Sequence, residues 1–176
     1  MESRTCAGCG ERINLLRADA TACSARCRKR VSRRPRIPAE LTSRARWVRR
    51  SALKRPLTVA GKAASSTDSS TWATYSEARA SKRGAGLGFV LNGDGIGCVD
   101  LDGVLDEGLL DPRAVELLAS LDAFYVEVSP SGNGVHAWVH GGSPDGRKVF
   151  RLENGLKVEW YSDGRYITVT GVQFRG

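Results

Sequence analysis

Residues 97–104 read “GCVDLDGV”, which places two aspartates inside an otherwise apolar strand pattern. Side chains alternate between the faces of a strand, so Asp100 and Asp102 would project from one face while their apolar neighbours enter the core. Carboxylates that lie close together repel each other and resist joint burial. The stretch therefore has two interpretations: an Asp- and Gly-rich turn, which Gly103 permits, or a pair of ligands for a divalent cation.

The length and composition of the chain are those of a protein with a packed core. Its 176 residues suffice for one modest domain and a small appendage, and its hydrophobic content is 41%. No apolar run approaches the length of a membrane span, and the N-terminus lacks the apolar stretch of a signal peptide. We therefore expect a soluble, intracellular protein with no membrane partner.

Positive charge is concentrated in one segment. The net charge is +8, and residues 28–55 hold 12 lysines and arginines against a single acid, Glu40. The remainder has 15 basic and 18 acidic residues, a net charge of −3. A basic segment on a slightly acidic body is typical of a polyanion-binding arm joined to a site built from carboxylates.

Four of the five cysteines form two close pairs near the N-terminus, “CAGC” and “CSARC”. Two such pairs separated by a short insert are typical of a tetrahedral zinc site. Disulfides are the alternative, but they suit small secreted frameworks. The fifth cysteine, Cys98, has no cysteine near it in the sequence and is expected to be a small packing residue. The pattern predicts one structural Zn²⁺ held by Cys6, Cys9, Cys23 and Cys27.

A basic segment begins at the second cysteine pair. “CSARCRKRVSRRPR” (residues 23–36) predicts a short helix that ends near Pro35. Almost no acid neutralises this segment, which favours contact with nucleic-acid phosphates over a merely solvated charge run. The predicted DNA-binding residues are Arg28, Lys29, Arg30, Arg33 and Arg34.

These patterns divide the chain into three predicted segments. Residues 1–36 form a zinc finger with its basic helix, and residues 37–55 form a basic helix or linker with Trp47 and Val48 as apolar anchors. Residues 56–176 form the main domain.

The main domain is predicted to consist mostly of strands. Strand patterns occur in “GLGFVLN”, “IGCVDLD”, “AFYVEVS”, “VHAWVH”, “LKVEWYS” and “YITVTG”, and one helix, “DPRAVELLASLDA”, separates the second strand from the third. Strands and helices do not alternate as in a βαβ series. The predicted fold class is therefore α+β, with a mostly antiparallel sheet and flanking helices.

Three further residues are candidates for chemistry, and each also has a structural interpretation. His136 opens a strand after a Gly-rich turn, where a histidine is usually structural. Glu159 is an acid at the centre of an apolar strand, and a surface Lys/Glu ladder is the alternative. Arg165 follows in the turn “SDGRY”, where an arginine is often simply exposed.

The order of these features resembles the archaeo-eukaryotic primase superfamily, in particular the bifunctional primase-polymerase domains of phage and plasmid replication proteins. Motif I is similar to “CVDLD”, motif II to “SGNGVHAW” and motif III to “VEWYSDGRYITVTG”. The resemblance covers residues 47–171. One departure is Gly134, which stands where motif II often has a serine.

The resemblance implies a DNA primase-polymerase with an RRM-like catalytic core, which synthesises primers or DNA on a single-stranded DNA template. Asp100, Asp102 and Glu159 would hold two Mg²⁺ or Mn²⁺ ions for nucleotidyl transfer. His136 would be the fourth catalytic residue and would contact the phosphates of the incoming dNTP or NTP. The nucleotide-binding residues implied are His136, Arg165 and Ser131.

Two other function classes stay open at this point. A two-metal nuclease would use the same three acids, and a non-catalytic zinc-finger protein would bind nucleic acid and regulate replication. The resemblance also implies phage or mobile-element replication in the cytoplasm of a bacterial host, with a replicative helicase as a candidate partner.

Overall fold

The first part of the stretch, through Asp100 and Leu101, forms a strand at the centre of a five-stranded sheet in the computed structural model of the chain. The structure describes residues 4–6, 9, 11–17, 19–32 and 37–175, except for the side chains of residues 30–32. The chain divides into two units, Met1–Arg36 and Ile37–Gly176.

The second unit contains most of the regular structure. Its strands are β1 (Trp47–Arg50), β2 (Pro56–Leu57), β3 (Gly86–Leu91), β4 (Ile96–Leu101), β5 (Leu105–Asp106), β6 (Leu109–Leu110), β7 (Ala123–Val128), β8 (Val135–His140), β9 (Val149–Arg151), β10 (Lys157–Tyr161) and β11 (Arg165–Val169). The α-helices are α1 (Ala25–Ser32) in the first unit and α2 (Ala39–Thr42), α3 (Tyr75–Ala80) and α4 (Pro112–Ser120) in the second. Among the described residues, every helix is too short or too polar to span a membrane.

Two antiparallel sheets organise the second unit. One has four strands in the order β11-β3-β1-β2, and the other has five in the order β7-β8-β4-β10-β9. The strands β5 and β6 form a separate hairpin. The predicted α+β class with antiparallel pairing is confirmed, although the strands form two main sheets and not one.

The five-stranded sheet is buried on both faces. On one face, Trp138 packs edge-on against Phe89 of the four-stranded sheet, with ring centroids 5.7 Å apart. On the other face, Val99 and Ala137 belong to a cluster that includes Ala114 of α4. Cys98 is fully buried between the sheets, and burial raises the pKa of its thiol well above the usual range. It is the packing residue that the sequence predicts.

The prediction of a basic helix or linker over residues 37–55 is wrong. This segment holds only the four-residue helix α2 and then the strand β1, which pairs with β3 in the four-stranded sheet. Trp47 and Val48 are both fully buried. Packing on both faces of β1 buries these consecutive side chains, and this tertiary context overrides the local helix pattern.

The first unit is small and is built around its cysteines. An antiparallel bridge joins Thr5 to Arg12, and α1 begins two residues after Cys23. Cys6 and Cys27 are buried with Ile13 and Ala22. An apolar cluster of this size is too small to stabilise such a short segment without a metal or a cross-link.

Candidate active site

An open cleft of about 520 Å³ lies between the two sheets of the second unit. Residues of β4, β8 and β10 line one side, and residues of β11 line the other. Its charged and ionisable lining includes most of the site residues that the sequence predicts. The predicted side chains among them are Asp100, Asp102, His136, Glu159 and Arg165, and Lys54 lines the cleft as well.

The register of the five-stranded sheet places four polar residues in a row across it. Glu159 on β10 lies opposite Asp100 on β4, which lies opposite His136 on β8. His136 in turn lies opposite Glu127 on β7. Directly opposed residues project from the same face of a sheet. Since Cys98 shares this face with Asp100 and belongs to the core between the sheets, the row points toward the four-stranded sheet.

Asp100 has a buried oxygen without a hydrogen bond. Its Oδ1 atom has no hydrogen-bond partner among the described residues and lies 3.6 Å from Nε2 of His136. Burial raises the pKa of the Asp100 carboxyl, His136 acts in the opposite direction, and Asp102 and Glu159 add to the rise. A cation bound to this oxygen would offset both the desolvation of the Asp100 carboxylate and its repulsion by Asp102 and Glu159.

Asp102 lies just beyond the strand. β4 ends at Leu101, and Asp102 is exposed in the turn that follows, where Gly103 adopts φ +68°. The Asp- and Gly-rich turn expected as one interpretation of residues 97–104 is therefore present. Asp102 nevertheless lines the same cleft as Asp100, as the metal-ligand interpretation requires.

Glu159 is already hydrogen-bonded through both of its carboxylate oxygens. Lys157 donates to Oε1 at 2.5 Å, and the Tyr161 hydroxyl donates to Oε2 at 2.8 Å. The contact with Lys157 contributes most to holding the pKa of Glu159 below its usual value. The Lys/Glu ladder considered from the sequence is thus present, and Glu159 would have to exchange Lys157 for a cation in order to ligate one.

The carboxylates of the cleft offer donor atoms that suit a divalent cation. Their oxygens are the donors that Mg²⁺ and Mn²⁺ prefer. Among the described residues, the four N-terminal cysteines bring their sulfurs within 4.8 Å of one another, and the three acids are not found as such a cluster. Mg²⁺ in phosphoryl-transfer sites keeps several waters and binds through one or two carboxylates plus substrate phosphates. The buried, unpaired oxygen of Asp100 in an open cleft suits this mode.

His136 is almost fully buried in the wall of the cleft. Only 3% of the residue is exposed, and its ring lies between carboxylates, with Nδ1 3.5 Å from Oε1 of Glu127. A Cβ atom at Gly134, the position where motif II often has a serine, would lie 2.5 Å from the carbonyl oxygen of Leu101. A side chain at this position would therefore clash with the backbone. The hydroxyl of Ser129, which lines the cleft, lies beside it.

Two cations lie on the other side of the cleft. The guanidinium of Arg165 stacks over the Tyr161 ring, 4.1 Å from its centroid. Lys54 adopts the left-handed conformation with φ +56°, and the Tyr166 hydroxyl donates to its carbonyl oxygen. A residue other than glycine in this conformation is uncommon and marks a constrained turn. No sequence pattern singled out Lys54, because it lies in a short hairpin between β1 and β2.

Ser131 does not line the cleft with the other predicted residues. It lies in an adjoining groove of about 460 Å³ together with Arg50, and it hydrogen-bonds to Ser129 at 2.8 Å. Ser129 lines both the cleft and the groove.

The N-terminal cysteines form a closed quartet. The Sγ atom of Cys23 lies 3.6 Å from that of Cys9 and 3.5 Å from that of Cys27. Zn–S bonds of about 2.3 Å place the sulfurs of a tetrahedral site about 3.8 Å apart, whereas a disulfide needs about 2.05 Å. None of the five cysteines, all of which the structure describes, forms a disulfide.

The chemistry of the quartet also fits zinc. The backbone N–H of Cys23 donates to Sγ of Cys6 at 3.2 Å. Hydrogen bonds with Cys27 and then with Cys9 raise the pKa of Cys23 to about 12, since thiols crowded together resist ionisation. A bound Zn²⁺ would reverse this effect, because a coordinating thiol is deprotonated outright. The zinc module predicted from the spacing is supported by this arrangement.

The predicted DNA-binding residues are only partly described. Arg28 and Lys29 are exposed on α1. Arg33, Arg34 and the side chain of Arg30 lie outside the described part of the chain.

Comparison with known proteins identifies a phage replication protein among the relatives of the chain. No protein-family model matches the chain. The DNA primase-polymerase of Nitratiruptor phage NrS-1 is 44% identical over 123 residues, which is 66% of this chain. The alignment covers 17% of that protein, so the chain spans about a sixth of its curated relative. The similarity confirms the resemblance that the three motifs carry.

Proposed function

We infer that the chain belongs to the phage DNA primase-polymerases, and we propose that its cleft joins nucleotides to a growing strand on a single-stranded DNA template. The observation that carries the proposal is the row of Asp100, His136 and Glu159 across adjacent strands of one open cleft. The relative's phage origin supports a role in phage or mobile-element replication, in the cytoplasm of the bacterial host.

The acids would carry the metal-dependent part of the reaction. Asp100, Asp102 and Glu159 would hold two Mg²⁺ or Mn²⁺ ions, which lower the pKa of an attacking 3′-hydroxyl and stabilise charge on the leaving pyrophosphate. The sheet fixes Asp100 rigidly, while Asp102 stands on a turn. Lys157 neutralises Glu159 until a cation replaces it.

The other polar residues of the cleft would bind the nucleotide. His136 contacts its phosphates, and the guanidinium of Arg165 and the ammonium of Lys54 provide positive charge on the opposite side of the cleft. An anionic triphosphate needs such countercharges in addition to the metals.

The first unit would hold the template. A closed site of four thiolates has no open coordination position, so its Zn²⁺ would be structural. Its role would be to stabilise the segment that presents Arg28 and Lys29 to phosphates.

The test is incorporation of labelled nucleotides by the full chain on primed single-stranded DNA with Mg²⁺ or Mn²⁺. Glu159→Gln keeps the shape of the side chain and removes its charge, so we expect the rate to fall by roughly a hundredfold or more. The matched control is Glu153→Gln, an exposed glutamate on the turn before β10, which should retain the wild-type rate. If the wild-type chain shortens the primer and does not extend it, the nuclease alternative is correct. If Glu159→Gln extends the primer at the wild-type rate, Glu159 is not a metal ligand.

A further inference from the structure

Glu127 is a fully buried acid behind the His136 ring. None of its surface is exposed, and its Oε1 atom lies 3.5 Å from Nδ1 of His136. Neither atom has a hydrogen-bond partner among the described residues. Buried polar atoms are nearly always paired, and hydrogen bonds in an active site without its substrate are often long. Each atom therefore supplies the partner that the other lacks.

The second oxygen of Glu127 is fully engaged elsewhere. Oε2 accepts hydrogen bonds from the backbone N–H of Gly171 at 2.8 Å and from the backbone N–H and hydroxyl of Thr170 at 3.1 and 3.2 Å. The Tyr125 hydroxyl also donates to it, at 3.5 Å. Thr170 and Gly171 follow β11 of the other sheet. They fix the carboxylate in place and leave only Oε1 to face the histidine.

We propose that Glu127 is a positioning residue that keeps a proton on Nδ1 of His136 and thereby directs Nε2 into the cleft. Nε2 is the ring nitrogen on the side of Asp100. The orientation of the ring follows from the contacts alone. Its consequence for nucleotide binding rests on the function proposed above.

A purely structural role for Glu127 is the competing explanation. In that case the carboxylate would only anchor Thr170 and Gly171, and Oε2 alone would suffice. Glu127→Gln separates the two roles. Because four donors surround the Oε2 position, the variant must place its carbonyl oxygen there and turn its amide N–H toward His136. The anchor survives, but Nδ1 must now accept a hydrogen bond, so the ring proton moves to Nε2.

Nitrogen NMR of the histidine rings measures this directly. The chain has two histidines, so selectively labelled full-length protein gives two pairs of ring-nitrogen signals, one Nδ1 and one Nε2 from each ring. His140 is exposed beside Phe124 and serves as the internal reference, and His140→Gln assigns the spectrum. We expect Nδ1 of His136 to carry a proton in the wild type, in the neutral ring and in the cation alike. In Glu127→Gln that proton should be absent from Nδ1.

An unprotonated Nδ1 in the wild type overturns the proposal, even if the variant does not fold. The same ring protonation in wild type and variant also overturns it. Neither measurement needs catalytic activity, so a failure here is distinguishable from a failure of the proposed function.

Kinetics test the consequence for the nucleotide. In the wild type the carboxylate of Glu127 accepts from Nδ1 while Nε2 faces the nucleotide, whereas in the variant an amide N–H stands at Nδ1. The loss of this support behind the ring should raise KM for the nucleotide about fivefold with little change in kcat. Glu116→Gln, an exposed acid on α4, should leave both constants unchanged. An unchanged KM in Glu127→Gln would show that the position of the proton does not affect the substrate.

Discussion

Replacing Asp100 with Asn tests whether the cleft binds a divalent cation together with a nucleotide. The substitution keeps the size of the side chain and removes the charge from a carboxylate whose Oδ1 atom is buried without a hydrogen bond. Burial raises the pKa of this carboxyl, so its ionisation opposes folding at neutral pH. Without metal we therefore expect the variant to be at least as stable as the wild type.

The expected effect of the metal follows from binding linkage. A ligand that binds only the folded state stabilises it by about 2.7 kcal/mol at one hundred times its dissociation constant. In a unit of this size each kcal/mol raises Tm by roughly 4 °C. Mn²⁺ with a deoxynucleoside triphosphate should therefore raise the wild-type Tm by roughly 10 °C above that with the nucleotide alone. Asp100→Asn should lose most of this increase.

Scanning calorimetry of the zinc-loaded chain measures both quantities. The matched control is Asp106→Asn, which removes an exposed acid on β5, outside the cleft, and should keep the full increase. An equal Mn²⁺-dependent increase in Asp100→Asn and the wild type would refute the assignment of Asp100 as a metal ligand.

Two predictions concern the first unit. The purified chain should contain about one equivalent of zinc by atomic emission, because four thiolates complete one tetrahedral site. Cys23→Ser should lower the zinc content. Full zinc content in this variant would exclude the four cysteines as the zinc site. Replacing Arg28 and Lys29 together with Ala should reduce the salt dependence of single-stranded DNA binding by roughly 1.4 in log–log slope, since two phosphate contacts are lost. Fluorescence anisotropy measures this slope, and the double variant Lys62→Ala/Lys82→Ala is the control. An unchanged slope in the Arg28/Lys29 variant would show that α1 does not contact the template.

Local patterns were sufficient to locate the strands that carry the candidate site residues and to group the four cysteines. Alternation of apolar and polar residues located the strands that carry Asp100, His136 and Glu159, because each strand has at least one face packed on a core. Cysteine spacing predicted the quartet for a similar reason, since a metal site needs ligands at short, fixed intervals. The strand alternation and the cysteine spacing both involve residues that are close together in the sequence.

Features that depend on distant parts of the chain were not predicted. The arginines of residues 37–55 suggested a basic surface, but Arg46 is buried and pairs with Asp94, and Arg49 donates to the carbonyl oxygen of Arg83. These two arginines therefore form contacts within the fold and contribute less to a basic surface. Lys54 enters the cleft only because the hairpin after β1 lies beside β11, where Tyr166 holds its carbonyl oxygen. None of these three contacts has a counterpart in the local sequence.

Glu127 and Glu159 show where sequence patterns stop being informative. Each is an acid at the centre of an apolar strand, in “VEV” and “VEW”, and the pattern that singled out Glu159 applies equally to Glu127. The fold gives them opposite environments. Lys157, two residues away, neutralises Glu159 at the rim of the cleft, while the segment after β11 covers Glu127 and supplies backbone donors to it. Since β11 belongs to the other sheet, the difference between the environments of these two acids, and between the roles we propose for them, arises from the packing of the two sheets.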